Sequence, residues 1–309
     1  MALASKHLFG LKEVSAVDIK QILDTANNFK EVLGRPIKTV PIMRGKTVAN
    51  LFFENSTRTR ISFELAEKRL SCDSVSFTSS ASSVKKGETL RDTVRNIEAM
   101  KVDMAVVRHS STGVPAYIAG CTDSIVINAG DGANEHPTQA LLDMLTIQEN
   151  FGKIKDLRVA IVGDIMYSRV ARSNIWGLKT MGASVMLCGP KTLMPPDVRD
   201  FNIDVTHCVE EAIEEADVIM VLRIQLERQS KGLFPSLNEY RERFGINSRR
   251  LRICKRKYII MHPGPINRGL ELDSDVADSD NSVILNQVSN GVAIRMACLY
   301  LLGGGQQDE

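Results

Sequence analysis

Short apolar segments and amphipathic helical patterns alternate along nearly the whole chain. Apolar, β-branched segments predict strands at Thr47–Phe53, Ser74–Phe77, Asp103–Val107, Ser124–Asn128, Leu157–Gly163, Ser184–Cys188, Val218–Leu222 and Tyr258–Met261. Apolar residues at helical spacing predict helices opened by Ser15 and by Ser56–Arg60, and helices at Leu90–Met100, Val114–Gly120, Pro137–Glu149, Ser168–Met181, Val209–Ala216, Leu237–Phe244 and Asn290–Leu302. This alternation favours parallel sheets built from βαβ units, so the predicted fold class is α/β.

The chain is long enough for two domains, since it contains 309 residues. A new strand begins after the long helix that ends near Phe151, so we place the domain boundary near residue 150. We expect two similar domains, each a parallel sheet flanked by helices. Ligands of such folds bind at the carboxyl ends of the strands and between domains, and we expect the active site there.

Charge and hydropathy limit the classes of partner. A formal net charge of +2 is close to neutral for this length, so we expect no nucleic-acid partner. No apolar run approaches the roughly 20 residues that span a bilayer, and the first residues lack a secretory signal. We therefore expect a soluble, cytoplasmic protein. The six cysteines form no CxxC pair, so they are expected to be reduced and no metal site is expected.

The segment Ser56-Thr57-Arg58-Thr59-Arg60 has the features of an anion site. It follows a predicted strand and opens a predicted helix, where free backbone N–H groups and the positive end of the helix dipole converge. Hydroxyl groups and a guanidinium add further donors, and arginine can bind a phosphate through two parallel N–H bonds. A capped helix start with a solvated basic turn is the other interpretation of this segment taken alone.

Six motifs in sequence order resemble the aspartate and ornithine carbamoyltransferases. They are Phe53-Glu-Asn-Ser-Thr-Arg-Thr-Arg-Ile-Ser-Phe-Glu64, Lys85-Lys-Gly-Glu-Thr-Leu90, Val107-Arg-His109, His136-Pro-Thr-Gln139, Arg223-Ile-Gln-Leu-Glu-Arg228 and His262-Pro-Gly-Pro265. The resemblance implies that residues 1–150 bind carbamoyl phosphate and residues 151–285 bind aspartate. It also implies that residues 286–309 form a C-terminal helix that returns towards the first domain.

The resemblance assigns a role to each matching residue of the first domain. Carbamoyl phosphate would be bound by Ser56, Thr57, Arg58, Thr59, Ser82, Lys86, Arg108, His136 and Gln139, together with the turn of Pro263, Gly264 and Pro265. The catalytic residues would be Arg58, Thr59, Lys86, Arg108 and His136. Ser82 and Lys86 lie in a stretch of small residues that cannot pack a core. The resemblance implies that this loop enters the active site of an adjacent subunit, and hence a homotrimer with shared sites.

The same resemblance points to the residues that bind the second substrate. Lys86, Arg169, Arg223 and Gln225 would bind aspartate, whose two carboxylates match cationic donors at neighbouring strand ends. Glu54 and Arg228 would form the pair that holds the closed domain arrangement.

The activity implied by the resemblance is transfer of a carbamoyl group from carbamoyl phosphate to L-aspartate, an early step of de novo pyrimidine synthesis. No cofactor and no metal are expected. Regulatory chains and a dihydroorotase are the further protein partners that the resemblance raises.

Three alternatives remain. An ornithine carbamoyltransferase would share the first domain's chemistry, but two arginines in the second pocket would repel the cationic side chain of ornithine. Relatives that use ornithine also carry Cys-Leu-Pro where this chain has Pro263-Gly-Pro265. A dinucleotide-dependent dehydrogenase would need glycines at the turn after Gly163, where this chain has Asp-Ile-Met-Tyr-Ser. A binding protein without catalytic activity is disfavoured because every motif residue is present.

Overall fold

The computed structural model describes residues 3–78, 88–225, 233 and 236–304. The chain forms two compact units. The first contains the chain up to Leu142 together with the residues from Ser289 onwards, and the second contains Asp143–Val288. The chain therefore passes between the units twice, and the first unit is assembled from two separate parts of the sequence.

The first unit contains a four-stranded parallel sheet. Its strands are β1 (Thr47–Phe52), β2 (Asp73–Thr78), β3 (Met104–His109) and β4 (Ile125–Asp131), and its helices include α1 (Ala16–Leu33), α2 (Thr57–Leu70), α3 (Leu90–Ala99), α4 (Val114–Ala119) and the start of α5 (Pro137–Phe151). The strand order is β2-β1-β3-β4, so the direction of winding reverses between β1 and β3. Open sheets of this type bind ligands at the carboxyl ends of the strands at such a reversal.

Local signals explain the framework of this unit. The Ser15 hydroxyl accepts a hydrogen bond from the Asp18 N–H at 3.1 Å and starts α1, and Gly34 ends it, which confirms the prediction for this helix. Buried side chains of β1 and β3, including Leu51 and Val107, form one apolar cluster with residues of α3 and α4. This packing fixes the two strands whose carboxyl ends carry the candidate site.

The second unit contains a five-stranded parallel sheet. Its strands are β5 (Arg158–Val162), β6 (Ser184–Cys188), β7 (Asp204–Thr206), β8 (Val218–Val221) and β9 (Ile259–Met261), and its helices are the rest of α5, α6 (Arg169–Thr180), α7 (Val209–Ile213), α8 (Leu237–Phe244), α9 (Ser248–Leu251), α10 (Ser274–Ala277) and the start of α11 (Ile284–Gly303). The strand order β7-β6-β5-β8-β9 reverses between β5 and β8. Two parallel sheets flanked by helices confirm the predicted α/β fold class.

Several elements differ from the sequence-based predictions, and the short helices α9 and α10 were not predicted. The strand β7 was not predicted, because this short edge strand exposes Asp204 and Val205 and so lacks a buried apolar run. The helix α11 begins six residues before the predicted start at Asn290, since exposed Leu285 in its first turns interrupts the apolar periodicity. The strand β3 extends to His109 through two polar residues, of which Arg108 pairs with Phe52 in register.

The later part of α11 belongs to the first unit. The Arg295 guanidinium donates a hydrogen bond to the Ser62 hydroxyl at 2.8 Å and lies 5.0 Å from the centroid of the Phe63 ring. Both partners lie on α2, so this arginine anchors the last helix against the helix that carries the candidate anion site.

The next features are the cysteines, the groups of side chains that could hold a metal ion, and the long apolar helices. All six cysteines are free thiols. Within the described ranges, no three or more His, Cys, Asp or Glu side chains gather in a group able to hold a metal ion. In the same ranges, no helix combines the length and apolar character that crossing a membrane requires.

A buried carboxyl group ties α2 to the sheet and predicts a dependence of stability on pH. The Asn50 amide donates to both carboxylate oxygens of Glu67 at 3.0 and 2.9 Å, and the Ser74 hydroxyl donates to one of them. Burial raises the pKa of the Glu67 carboxyl from 4.5 to about 7, against the opposing effect of these hydrogen bonds. At a pH between these two pKa values, Glu67 is therefore protonated in the folded chain and ionised in the unfolded chain.

Stability should fall as the pH rises through that window, because the folded state binds more protons there than the unfolded state. Between about pH 5 and about pH 8 we expect the free energy of unfolding to fall by about 2–3 kcal/mol relative to a Glu67→Gln variant. Urea denaturation of both proteins across this range measures the difference. Parallel pH profiles would show that Glu67 does not titrate in this way.

Candidate active site

In the first unit, Arg108 lies at the carboxyl end of β3, next to the end of β1. Its guanidinium donates hydrogen bonds to the Ala129 carbonyl oxygen at 3.1 Å and to the Glu54 carboxylate at 3.2 Å. The Arg108 side chain is only 11% exposed. These contacts fix a cationic group at the point where the strand order reverses. Arg108 is therefore one observed partner of Glu54, while the predicted partner Arg228 lies outside the described residues.

The start of α2 lacks the capping contacts that are present at the starts of α1 and α3. Ser56 occupies the N-cap position, yet its hydroxyl makes no capping hydrogen bond, and the first turn of α2 contains no acidic residue. In α1 and α3, by contrast, the cap hydroxyl accepts from the backbone and an aspartate occupies the first turn. Thr57 and Arg58 are exposed. The positive end of the α2 dipole is thus not neutralised by its own sequence, which suits an external anion.

The loop after β4 positions His136 and Gln139. Buried Asn128 donates to the Asp131 carboxylate at 2.8 Å and to the Glu135 carbonyl oxygen at 3.3 Å, and Asp131 in turn accepts the Glu135 N–H at 3.2 Å. This polar cluster shapes the chain up to His136, which is buried and directly precedes α5. The first turn of α5 also lacks an acidic residue. A third strand end of the first sheet therefore leads through a fixed backbone to a buried histidine.

In the second unit, Asp164 links the two loops that follow β5 and β8. Its fully buried carboxylate accepts the backbone N–H of Tyr167 at 3.1 Å and that of Gln225 at 3.1 Å. In the second loop, the Arg223 guanidinium donates to the Gln225 side-chain oxygen at 3.2 Å. Arg223 and Gln225 therefore lie at the reversal of the second sheet, and Asp164 holds their backbone in place.

Arg169 is the first residue of α6, beside the loop after β5. The Ser168 hydroxyl caps this helix by accepting the Ala171 N–H at 3.2 Å, and Arg169 itself is 4% exposed. A buried cation at the positive end of a helix opposes the helix dipole, so its position does not serve helix stability. Such a placement is typical of a group that binds an anion.

A third loop of the second unit follows β9 and contains Pro263, Gly264 and Pro265. The Gly264 N–H donates to the His262 ring at 2.8 Å, and the peptide bond between Gly264 and Pro265 is cis. Gly264 has a φ of 66°, a conformation that favours glycine. The turn is half-buried at Pro263 and Gly264 and exposed at Pro265.

The structure thus places the sequence-predicted residues at strand ends within each unit. In the first unit these are Glu54, Ser56, Thr57, Arg58, Thr59, Arg108, His136 and Gln139, and in the second unit Arg169, Arg223, Gln225, Pro263, Gly264 and Pro265. Ser82, Lys86 and Arg228 lie outside the described residues.

Sequence reasoning missed the supporting residues Asn128, Asp131 and Asp164. An acidic residue shortly after an apolar strand, as in Val162-Gly163-Asp164, is the signal that could have identified the last of them.

The role of Asp164 predicts a large cost in stability when its carboxylate is removed. In an Asp164→Ala variant, two partly buried backbone N–H groups lose their acceptor. We expect the free energy of unfolding to fall by about 2–4 kcal/mol, and by less in Asp164→Asn, which keeps one acceptor oxygen. Urea denaturation measures this change, with Asp204→Ala as a control at an exposed aspartate. An Asp164→Ala variant as stable as that control would contradict the assignment.

The sequence of this chain is similar to the sequences of known proteins over nearly its whole length. Residues 6–149 match the model of the aspartate/ornithine carbamoyltransferase carbamoyl-P binding domain, and residues 155–302 match that of the Asp/Orn binding domain. The chain is 57% identical to the aspartate carbamoyltransferase catalytic subunit of Gemmatimonas aurantiaca over 303 residues, which are 98% of this chain and 95% of that protein.

Solved structures show the same similarity. One is aspartate transcarbamoylase from Trypanosoma cruzi in complex with N-(phosphonacetyl)-L-aspartic acid, with a TM-score of 0.89, 32% identity and coverage of 96% of each chain. Another is ornithine carbamoyltransferase from Pyrococcus furiosus, with a TM-score of 0.87, 31% identity and coverage of 99% of this chain and 100% of the other.

Proposed function

Because the chain belongs to the aspartate/ornithine carbamoyltransferase family, we propose that it transfers the carbamoyl group of carbamoyl phosphate to the α-amino group of L-aspartate. The products are N-carbamoyl-L-aspartate and phosphate, and the reaction is an early step of pyrimidine nucleotide synthesis. The observation that carries this choice is the pair Arg223 and Gln225 at the reversal of the second sheet, held by Asp164. A guanidinium at that position suits a carboxylate side chain and repels the ammonium group of ornithine.

The first unit supplies the binding site for carbamoyl phosphate. Ser56, Thr57, Arg58 and Thr59 bind the phosphate with their hydroxyl, guanidinium and backbone N–H groups at the start of α2. The uncapped start of this helix supports that role. Arg108 binds both the phosphate and the carbonyl oxygen.

His136 and Gln139 bind the carbamoyl group itself, at its carbonyl oxygen and its amide respectively. The carbonyl oxygens of the turn at Pro263 and Gly264 accept hydrogen bonds from the carbamoyl NH₂ group, and Pro265 completes that turn. The helix dipole at the start of α5 favours the neutral imidazole of His136, which can then polarise the carbonyl without transferring a proton.

The second unit supplies the binding site for aspartate. Arg169 and Arg223 bind the two carboxylates, and Gln225 adds a hydrogen bond. The buried position of Arg169 at the start of α6, where a cation opposes the helix dipole, supports its role as an anion ligand. Lys86 contacts both substrates.

Chemistry then follows from positioning and electrostatics. The deprotonated amine of aspartate attacks the carbamoyl carbon and forms a tetrahedral intermediate, whose oxyanion is stabilised by Thr59, Arg108 and His136. The C–O bond to phosphate breaks as the intermediate collapses, and the departing phosphate accepts the amine proton. Orientation of two bound reactants can supply on the order of 7–11 kcal/mol of the rate acceleration.

Glu54 connects substrate binding to the conformation of the first site. It holds the Arg108 guanidinium at 3.2 Å, so a bound phosphate competes with this carboxylate for the same donor. We propose that Glu54, once displaced from Arg108, pairs with Arg228 and helps hold the closed domain arrangement.

We also propose a cytoplasmic homotrimer in which Ser82 and Lys86 enter the site of an adjacent subunit. The motif Lys85-Lys86-Gly87 matches the branch of the family that uses aspartate. Sedimentation equilibrium tests this assembly, because a trimer has three times the 34.1 kDa mass of the chain. A monomer that turns over both substrates would contradict it.

A product assay tests the reaction itself. The purified chain is incubated with carbamoyl phosphate and either L-aspartate or L-ornithine, and the ureido products are separated and identified. We expect N-carbamoyl-L-aspartate from the first mixture and no citrulline from the second. Citrulline alone would assign the chain to the ornithine branch, and substrate binding without product would indicate a binding protein.

A further inference from the structure

His262 is a buried histidine whose ring nitrogens and backbone N–H all make hydrogen bonds. It directly follows β9 and precedes the turn at Pro263 and Gly264. Its backbone N–H donates to the Gln287 side-chain oxygen at 2.9 Å, and Gln287 donates in turn to the buried Asp143 carboxylate at 2.8 Å. The backbone of His262 is therefore fixed before the turn begins.

The ring of His262 then fixes the turn itself. The Nδ1 atom lies 2.8 Å from the Gly264 backbone nitrogen, which can only donate, so Nδ1 accepts and carries no proton. The Nε2 atom lies 3.3 Å from the Glu271 carboxylate, and both side chains are almost completely buried. In this tautomer the Nε2–H donates to Glu271, which holds the ring orientation.

Glu271 also holds the far side of the loop. The same carboxylate oxygen accepts the Asn267 N–H at 2.6 Å. The loop from Gly264 to Asn267 is thus held at its first residue by the imidazole and at its last by the carboxylate, and the two are bonded to each other.

We propose that His262 and Glu271 are positioning residues that aim the carbonyl oxygens of the Pro263–Gly264 turn at the reacting carbamoyl group. This inference rests on the proposed function, in which those oxygens accept hydrogen bonds from the carbamoyl NH₂ group. In this role the imidazole acts through the Gly264 N–H and needs no contact with a reacting atom. A misplacement of about 1 Å at a reacting group can cost about a hundredfold in rate.

Two substitutions of His262 separate this role from simple packing. In His262→Asn, the amide oxygen lies near the place of Nδ1 and can still accept the Gly264 N–H. In His262→Gln, the longer amide reaches towards Glu271 and leaves the Gly264 N–H without its acceptor. Because both replacements are polar amides, the difference between them reports on the hydrogen bond to the turn.

We expect kcat of His262→Asn to remain within a few-fold of the wild type and kcat of His262→Gln to fall by roughly 10- to 100-fold. The KM for aspartate should change little in both, since Arg169 and Arg223 are untouched. Thermal unfolding of the same samples shows whether activity follows stability. If His262→Gln turns over like the wild type, or if His262→Asn loses as much kcat as His262→Gln, the positioning role is wrong.

A second pair of variants, at Glu271, tests the same role if a His262 variant fails to fold. Glu271→Gln keeps an oxygen for the Asn267 N–H and the imidazole, whereas Glu271→Leu removes it at similar size. We expect kcat to be largely retained in the first and to fall at least tenfold in the second, and equal kcat values would overturn the inference. A wild-type chain that makes no N-carbamoyl-L-aspartate would instead overturn the proposed function, and the inference with it.

Discussion

Replacement of Arg108 by alanine is expected to lower kcat/KM for carbamoyl phosphate by about a thousandfold. The guanidinium is fixed by the Ala129 carbonyl and by Glu54 at the carboxyl end of β3, and its side chain is 11% exposed. In the proposed mechanism it binds phosphate from that position and stabilises the oxyanion that develops at the carbamoyl carbonyl. Loss of one preorganised donor to an oxyanion costs about 100- to 1000-fold in kcat, and loss of phosphate binding adds to this. Steady-state kinetics with varied carbamoyl phosphate measure the effect.

The matched control for this change is Arg158→Ala. Arg158 begins β5, its side chain is 55% exposed, and it pairs with Glu215 at 3.4 Å. Exposed ion pairs contribute little, so we expect kinetics close to those of the wild type. A similar loss of activity in both variants would point to a general effect of removing arginine, and full activity of Arg108→Ala would remove this residue from the mechanism.

Replacement of Arg223 by alanine is expected to raise the KM for aspartate by about a hundredfold, which corresponds to about 3 kcal/mol. Arg223 lies at the end of β8, where its guanidinium contacts the side chain of Gln225. The interaction that we propose is lost is a charge-assisted contact with a substrate carboxylate. Because the residues that we propose bind carbamoyl phosphate at the start of α2 are unchanged, the KM for carbamoyl phosphate should change far less. Kinetics with each substrate varied in turn separate the two effects.

Arg241→Ala is the control within the same unit. The Arg241 side chain is 54% exposed and pairs with Asp273 at 3.3 Å, so its removal should leave both KM values unchanged. An Arg223→Ala variant whose two KM values rise equally would show a loss of folded enzyme rather than of aspartate binding. Unchanged aspartate kinetics would indicate that side chains other than Arg223 bind the carboxylates of aspartate.

The alternation of strand and helix was predictable because it depends on local patterns. Fully buried strands such as Val218–Val221 are continuous apolar runs, and capped helices such as Ala16–Leu33 carry their start signals in the sequence. The exposed edge strand Asp204–Thr206 was missed, because its residues have little apolar surface to bury. The order of strands, and hence the two reversals, follows from long-range packing that a local pattern does not report.

The candidate site residues were predicted from motifs, but their supports were not. Ser56–Thr59 and Arg108 stand out because polar residues directly after apolar strands point to a sheet edge. The supporting role of Asp164 depends on a backbone N–H of Gln225, far away in the sequence, which no spacing rule reveals. The same is true of Glu54, whose observed contact with Arg108 joins two strands of the sheet. No role was predicted for His262 itself, because the partners of its ring are a backbone amide and the carboxylate of Glu271, which no local pattern reveals.

The most direct test of the account is a calorimetric titration with N-(phosphonacetyl)-L-aspartic acid, which joins a phosphonate to an aspartate group in one molecule. We expect the wild-type chain and Arg158→Ala to bind it with the same affinity. We expect Arg108→Ala and Arg223→Ala each to bind it at least about a hundredfold more weakly, since each loses contacts to one anionic group. Equal affinity in all four proteins, or no binding by the wild type, would contradict the claim that these strand-end arginines recognise both anionic substrates.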